Sequence, residues 1–333
     1  MKKFRAGCSI VRFILIAIAG VSLAAQSCET TLQRAASFAE NPGEGVRIAL
    51  IADPHLPYKA SKLKNAEEGA ARTAAKEAMR ADINAWTDVQ RLVVLGDIAG
   101  ERGSAEEYAS ALSFLAGFKA PLRPITGNHD FIYADAYNAQ GNIVRCAPDL
   151  RATKLDYFKA QFSLDSLQRE EKLGGYELIY LCADSLDKKH QVGLSPESLA
   201  WLDERLARNS ALPTIVFFHA PLEWTVIANG SRASGDSAAQ PAAALGEILG
   251  RHPQVFLWVS GHTHTKPSDP SFASPINLYD DRVMDIHCPD ADRVDLCSNS
   301  LWLYPDHVLV RTYDHRKGAW LEALDRRVAA WGR

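Results

Sequence analysis

Five short polar motifs, each standing directly after a mostly apolar run, constrain this chain more than any other feature. They are Asp53-Pro54-His55, Gly96-Asp97, Gly127-Asn128-His129-Asp130, His219 and Gly261-His262-Thr263-His264. Together they carry two aspartates, one asparagine and four histidines of metal-ligand type, with His129 and Asp130 left over as a pair. The runs before them, residues 46–52, 92–95, 121–126, 214–218 and 255–259, read as short strands. Ligands at strand ends are how an open α/β sheet gathers residues distant in sequence into one pocket. A glycine ahead of three consecutive polar residues permits the tight turn such a placement needs. With one residue between them, His262 and His264 can reach neighbouring metals from an extended backbone.

The rest of the pattern fits that architecture. An alanine-rich charged stretch over residues 62–86 predicts one long helix or two short ones. Further helices are expected over 105–118, near 155–162, over 196–208 and ending near 249. Ser195 and Pro196 give the fourth of these a cap and a first-turn proline. Strands are expected over 176–183, 301–304 and 307–313. Strand–helix alternation up to residue 264, then strands, predicts one α/β domain over residues 46–333 with a C-terminal β extension. Residues 131–153 and 223–237 lack periodicity and follow motifs directly, which marks functional loops rather than linkers. Tyr133, Tyr137 and Trp224 lie in them, either at a pocket mouth or in ordinary loop packing.

The N-terminus has a different character. Lys2, Lys3 and Arg5 precede an apolar stretch over residues 13–25 that is too short for a membrane span, so residues 1–27 read as a signal peptide. Residues 28–45 read as a polar tether. Ala25-Gln26-Ser27-Cys28 fits cleavage before Cys28 and resembles a bacterial lipoprotein box, which implies an exported protein, periplasmic or anchored to the membrane by lipid on Cys28. An ordinary secretory signal with an incidental cysteine is the alternative. Export implies an oxidising compartment. Of the six cysteines, Cys146, Cys182, Cys288 and Cys297 would remain. Cys288 and Cys297 are the best disulfide candidates, and Cys182 reads as a free buried thiol. The formal net charge of −3 offers no basic surplus for a nucleic-acid polymer.

In order and residue type the five motifs resemble the calcineurin-like metallophosphoesterase superfamily, whose pattern is D-x-H, G-D, G-N-H-[DE], H and G-H-x-H. The resemblance spans about residues 46 to 266. It implies a four-layer α/β/β/α sandwich with two mixed sheets and two divalent transition-metal ions. Asp53, His55 and His264 would hold one ion, Asn128, His219 and His262 the other, and Asp97 would bridge both. Mixed N/O ligands suit Mn, Fe, Zn or Co. The implied chemistry is attack of a metal-bound hydroxide on a phosphate ester. His129 would protonate the leaving group or stabilise the transition state, with Asp130 orienting its ring.

Departures narrow the branch. Gly100 stands where purple acid phosphatases carry a tyrosine. The run from Gly96 to Gly103 departs from the protein-phosphatase motif, so Arg102 reads as a solvated helix-start residue. Only about seventy residues follow His264, too few for the added domain of exported nucleotidases. The pattern is closest to compact class III cyclic-nucleotide phosphodiesterase-like members, and His219-Ala220-Pro221-Leu222 resembles their His-x-Pro segment. The expectation is an exported phosphoesterase acting on small phosphodiesters. Its alternatives are a periplasmic phosphomonoesterase, nucleotidase or phospholipid-headgroup hydrolase, or a non-catalytic surface binding lipoprotein with a vestigial metal site. His190, His252, His287, His307 and His315 read as surface or core residues. Substrate, metal identity and oligomeric state are not legible in the sequence.

Overall fold

A computed structural model describes residues 45–187 and 189–332. The signal-peptide, tether and Cys28 expectations therefore lie outside the described residues. In chain order the elements are β1 (Val46–Ile51), α1 (Ala66–Ala85), β2 (Val89–Leu95), α2 (Ala105–Leu115), β3 (Leu122–Ile125), a one-turn α3 (Asn128–Phe131), β4 (Tyr133–Tyr137), β5 (Ile143–Arg145), α4 (Pro148–Gln161), β6 (Arg169–Leu173) and β7 (Tyr176–Tyr180). They continue with α5 (Pro196–Arg208), β8 (Thr214–Phe217), β9 (Ile227–Ala228), β10 (Ser231–Arg232), α6 (Ala242–Arg251), β11 (Val255–Ser260), β12 (Leu278–Tyr279), β13 (Val283–His287), β14 (Cys297–Leu303), β15 (His307–Asp314), β16 (Ala319–Trp320) and β17 (Arg326–Ala329).

Two mixed sheets result. The first runs β16-β15-β14-β1-β2-β3, with β17 also on β15. Its β1, β2 and β3 are parallel, and β14 is antiparallel to β1. The second runs β12-β13-β11-β8-β7-β6, parallel except at its two edges. Strand alternation assigns the layers. Ile215 and Phe217 of β8 join the core that also holds Ile48 and Leu50 of the first sheet and Met79, Ile83, Tyr108 and Phe114 of α1 and α2. Val216 between them joins Leu202 and Leu206 of α5 and Leu245 and Ile248 of α6. The order is helix, sheet, sheet, helix, the four-layer arrangement expected for this family of folds.

Local signals explain most boundaries. Asn65 caps α1 through Glu68 N, Ser104 and Glu107 form a reciprocal capping box on α2, and Ser195 caps α5 through Ser198 N ahead of Pro196. The stretch over 62–86 forms one helix, preceded by a separate 3₁₀ turn at Ala60–Lys62. Residues 131–153 are more ordered than their sequence suggests. They contain the β4–β5 hairpin, and α4 starts at Pro148 instead of near 155. Pro148 at the first helical position and Asp149 in the first turn are the cue that periodicity alone passes over. The edge strand β6 is charged at four of its five positions, which hides it from an apolar-run reading.

One expected covalent link is absent. Cys146, Cys182, Cys288 and Cys297 are all free, buried thiols, so Cys288–Cys297 is not a disulfide. The chain crosses from the second sheet to the first between these residues. Cys288 ends up in the inter-sheet core, where its sulfur accepts from Asn299 Nδ2 at 3.5 Å, while Cys297 opens β14 opposite Asp314. No helix among the described residues is long and apolar enough to cross a membrane.

Candidate metal centre

The five motifs meet where β1, β2, β3, β8 and β11 end. Pairing continues past the strands: Asp53 N donates to Gly96 O (3.2 Å), His55 N to Asp97 O (2.9 Å) and Gly261 N to His219 O (2.8 Å). Side chains then link the strand ends. Between the sheets, Asp53 Oδ2 accepts from His262 N at 2.9 Å, and within the first sheet Asp97 Oδ1 accepts from His129 N at 2.8 Å. The backbone is bent to achieve this. Asp53, His55, Asp97, His262 and His264 all have positive φ, between 40° and 65°. Left-handed backbone at five non-glycine residues costs stability, and its concentration here is the mark of a functional constellation. Gly127 is required for the approach: a Cβ there would sit 2.3 Å from Asp97 Oδ1. At Gly261 it would sit 2.5 Å from Asp53 Oδ2.

Six of the seven predicted ligand residues form two clusters, and Asn128 lines the same cavity. Asp53, His55, Asp97 and His264 present ligand atoms within 4.8 Å of one another, and so do Asp97, His219 and His262. Asp97 belongs to both groups. Its Oδ2 lies 3.8 Å from His55 Nε2 and its Oδ1 3.4 Å from His219 Nε2. Asp53 Oδ1 lies 3.3 Å from His264 Nε2. Asn128 donates its Nδ2 to Tyr133 Oη at 3.4 Å, which leaves its Oδ1 for the centre.

The side chains leave an unusual residue of unmet bonding. Asp53 Oδ1, His55 Nε2, Asn128 Oδ1 and His219 Nε2 are buried without a hydrogen-bond partner. Four such atoms in one place would be a severe cost unless something else binds them. The opposite ring nitrogens are anchored: His55 Nδ1 on Gly100 O (2.8 Å), His219 Nδ1 on Leu95 O (2.7 Å), His262 Nε2 on Asp236 O (2.8 Å) and His264 Nδ1 on Asp290 Oδ2 (3.2 Å). This is the outer shell that orients metal-binding imidazoles. Electrostatics agree. Burial opposes charge on Asp97, but His219, His129 and His55 hold its carboxyl well below the usual range. Burial would lower His219 and His264, yet Asp97 and Asp53 raise the first to about 9, and Asp53 and Asp290 raise the second to about 10. His55 is pushed down by burial, and His262 to about 4 by burial and the neighbouring His219. The carboxylates thus draw in positive charge, and the donor set of carboxylate, amide oxygen and imidazole fits a pair of divalent cations.

His129 and Asp130 separate in role. His129 is buried, its Nδ1 donates to Glu101 O at 2.5 Å, and its Nε2 lies 2.8 Å from Lys59 Nζ. Asp130 does not orient that ring. Its carboxylate accepts from Ile98 N (3.0 Å), Ala99 N (2.9 Å) and Gly127 N (2.7 Å), so it locks the Gly96-Asp97 turn against the Gly127-Asn128 turn. Three backbone amides compete better for a buried carboxylate than the far side of a ring already held by Glu101 O. A cavity of about 830 Å³ opens on the centre, reaching Asp97, Asn128, His129, His262 and His264. The loops over 131–153 and 223–237 both wall it, the first through Tyr133, Tyr137 and Ile143, the second through Asn229, Asp236 and Ser237. Arg145 Nη2 meets Asp236 Oδ2 at 2.8 Å and ties the two loops together. Trp224 is about half exposed and lies outside this wall. Arg102 stacks on Tyr137 at 4.6 Å and meets Glu107, also off the cavity. Lys59, Glu101, Asp236 and Asp290 were not legible as site residues, because their partners are distant in sequence or are backbone atoms.

The profile of the calcineurin-like phosphoesterases matches residues 46–266, a span that contains all seven candidate ligands. The chain belongs to the calcineurin-like phosphoesterase family. It is therefore a metal-dependent phosphoester hydrolase by family, and the cluster above is the candidate for the family's dinuclear centre. No curated protein matches the chain. Among solved structures it resembles a dimetal phosphatase from Danio rerio (TM-score 0.57, 16% identity, 86% of this chain and 99% of that one). It also resembles GAP50, described as the anchor in the inner membrane complex of Plasmodium (0.53, 13%, 87% and 90%). A third likeness is to a purple acid phosphatase from yellow lupin seeds (0.51, 15%, 84% and 53%). At these identities the likeness is one of fold.

Proposed function

We propose that this phosphoesterase hydrolyses small phosphodiesters at the Asp53–His264 centre. The observation that carries the reading is the set of four buried ligand-type atoms, Asp53 Oδ1, His55 Nε2, Asn128 Oδ1 and His219 Nε2, left without a hydrogen-bond partner. Asp53, His55 and His264 would hold one cation and Asn128, His219 and His262 the other, with Asp97 shared. When bound, such a pair neutralises phosphate charge and supplies water activated for attack at neutral pH. Glu101 O holds the Nδ1 proton of His129, so it is the Nε2 end, once protonated, that donates to the leaving-group oxygen. Tyr133, Tyr137 and Ile143 give the cavity an apolar wall for a second ester arm, which a monoester would leave unfilled. The two tied loops favour a small substrate over a polymer.

The same reading extends to location. The charged n-region, the apolar stretch and Cys28 at the junction support export with lipid on that cysteine, and intact-mass analysis of native protein tests it. For the activity, metal-loaded protein is compared on a bis-aryl phosphate, cyclic nucleotides, mononucleotides, glycerophosphodiesters, an oligonucleotide and a phosphopeptide. The specificity constant should be highest for a small diester. A monoester ahead of every diester refutes the diesterase reading, and an oligonucleotide or phosphopeptide ahead refutes the enclosed pocket.

A further inference from the structure

We propose that Lys59 is a catalytic residue of this centre, its ammonium binding a non-bridging oxygen of the scissile phosphate; the inference rests on the phosphoesterase reading above. Lys59 lies four residues beyond His55, outside the five motifs, on the cavity wall shared with Asp97, Asn128, His129 and His264. Its Nζ stands 2.8 Å from His129 Nε2. Two other lysines with buried ammonium groups are paired with carboxylates, Lys76 with Asp292 at 2.7 Å and Lys154 with Asp135 at 2.5 Å. Among the described residues Lys59 meets a histidine nitrogen and no carboxylate. A half-buried ammonium without a counter-ion, beside two candidate cation positions, has a clear complement in a phosphate oxygen.

The backbone carrying Lys59 is held in place. Lys59 N donates to Asp292 Oδ2 at 3.1 Å. Asp292 is gripped by Arg72 Nη1 and Lys76 Nζ, both at 2.7 Å, and Lys76 Nζ also donates to Pro57 O (2.7 Å) and His55 O (3.2 Å). One buried cluster thus fixes the stretch from the ligand His55 to Lys59. Donors fixed beforehand toward developing charge, where water is scarce, are the larger part of electrostatic catalysis. When phosphate enters, the ammonium has a better acceptor than neutral imidazole, and His129 Nε2, freed of Lys59, takes a proton from water and passes it to the leaving-group oxygen.

The test compares Lys59→Met and Lys59→Arg with Lys64→Met, an exposed lysine outside the cavity, in the metal-loaded full chain. Lys59→Met should keep the wild-type metal content and lose about 10²-fold in kcat/KM on a bis-aryl phosphate. It should bind inorganic phosphate about tenfold more weakly by calorimetry. Lys59→Arg should recover part of both, and Lys64→Met should match wild type. A Lys59→Met protein with wild-type turnover and phosphate affinity overturns the inference and leaves the phosphoesterase reading standing. A wild type that turns over no ester, while Lys59→Met still loses phosphate, keeps Lys59 as a phosphate-binding residue only and overturns both its catalytic role and the phosphoesterase reading.

Discussion

Two buried histidine–aspartate clusters lie within a few residues of each other in this fold, and they are built on opposite principles. In the second sheet, Asp285 accepts from Ser260 Oγ, Leu222 N and Thr225 Oγ1, each at 2.8 Å. His287 places Nδ1 3.1 Å from Ser260 Oγ and Nε2 3.1 Å from Thr225 O. Every polar atom of that pair is satisfied by protein, and burial pushes the Asp285 carboxyl up and the His287 imidazole down, toward neutrality. At the metal centre, Asp53, His55, Asn128 and His219 are equally buried, yet each keeps one atom without a hydrogen-bond partner, and the Asp97 carboxyl is held well below the usual range by the histidines around it. Burial of a His–Asp pair therefore says little by itself. Unmet donor atoms, left-handed backbone and anchored far-side nitrogens separate a ligand site from a structural clamp.

The largest expected contrast is between Asp97→Ala and His287→Ala. Asp97→Ala removes the shared ligand and should abolish metal retention and turnover, beyond the ~10–100-fold typical of outer-shell changes. His287→Ala should lower the melting temperature, since it takes a partner from the buried Thr225 O and Ser260 Oγ at a cost of about 1–3 kcal/mol, while metal content holds. Elemental analysis beside thermal unfolding checks both. Equal metal loss in the two variants would break the distinction. Gly127→Ala comes next. Its Cβ would push on Asp97, and a displacement of that order costs ~10²-fold in activity. A fully active Gly127→Ala protein would show that the Asp97 position is not critical.

Much of this was legible because ligand chemistry is written in short local words. Asp53-Pro54-His55 or Gly261-His262-Thr263-His264 names its donors in a few residues, and the apolar run before each names its strand. Lys59 and Asp290 had no such word. Asp290 matters through His264, and Lys59 through His129 and Asp292, contacts that only the folded chain creates. The assignment of Asp130 to the His129 ring failed for the same reason, since its partners are backbone amides of Ile98, Ala99 and Gly127. Adjacent cysteines likewise read as a pair until the crossover between sheets separates Cys288 from Cys297.

Smaller effects sharpen the comparison further. Asp290→Asn removes the charged partner of His264 Nδ1 and should weaken metal affinity by ~10–100-fold without loss of fold, measured by competition with a chromogenic chelator. Unchanged affinity would place Asp290 with the structural clamps. The smallest signal is chemical. Native mature protein should resist thiol alkylation and, once denatured without reductant, should take up one label at each of Cys146, Cys182, Cys288 and Cys297. Two unlabelled sites would restore a disulfide.

The central claim is that the unmet atoms at the sheet ends are ligands. Anomalous diffraction at the absorption edges of Mn, Fe, Co and Zn, from crystals of metal-loaded protein, tests it directly. The account predicts two anomalous peaks ~3.5–4 Å apart, one on each side of Asp97. No peak there, or a peak at Asp285 and His287 instead, would contradict it.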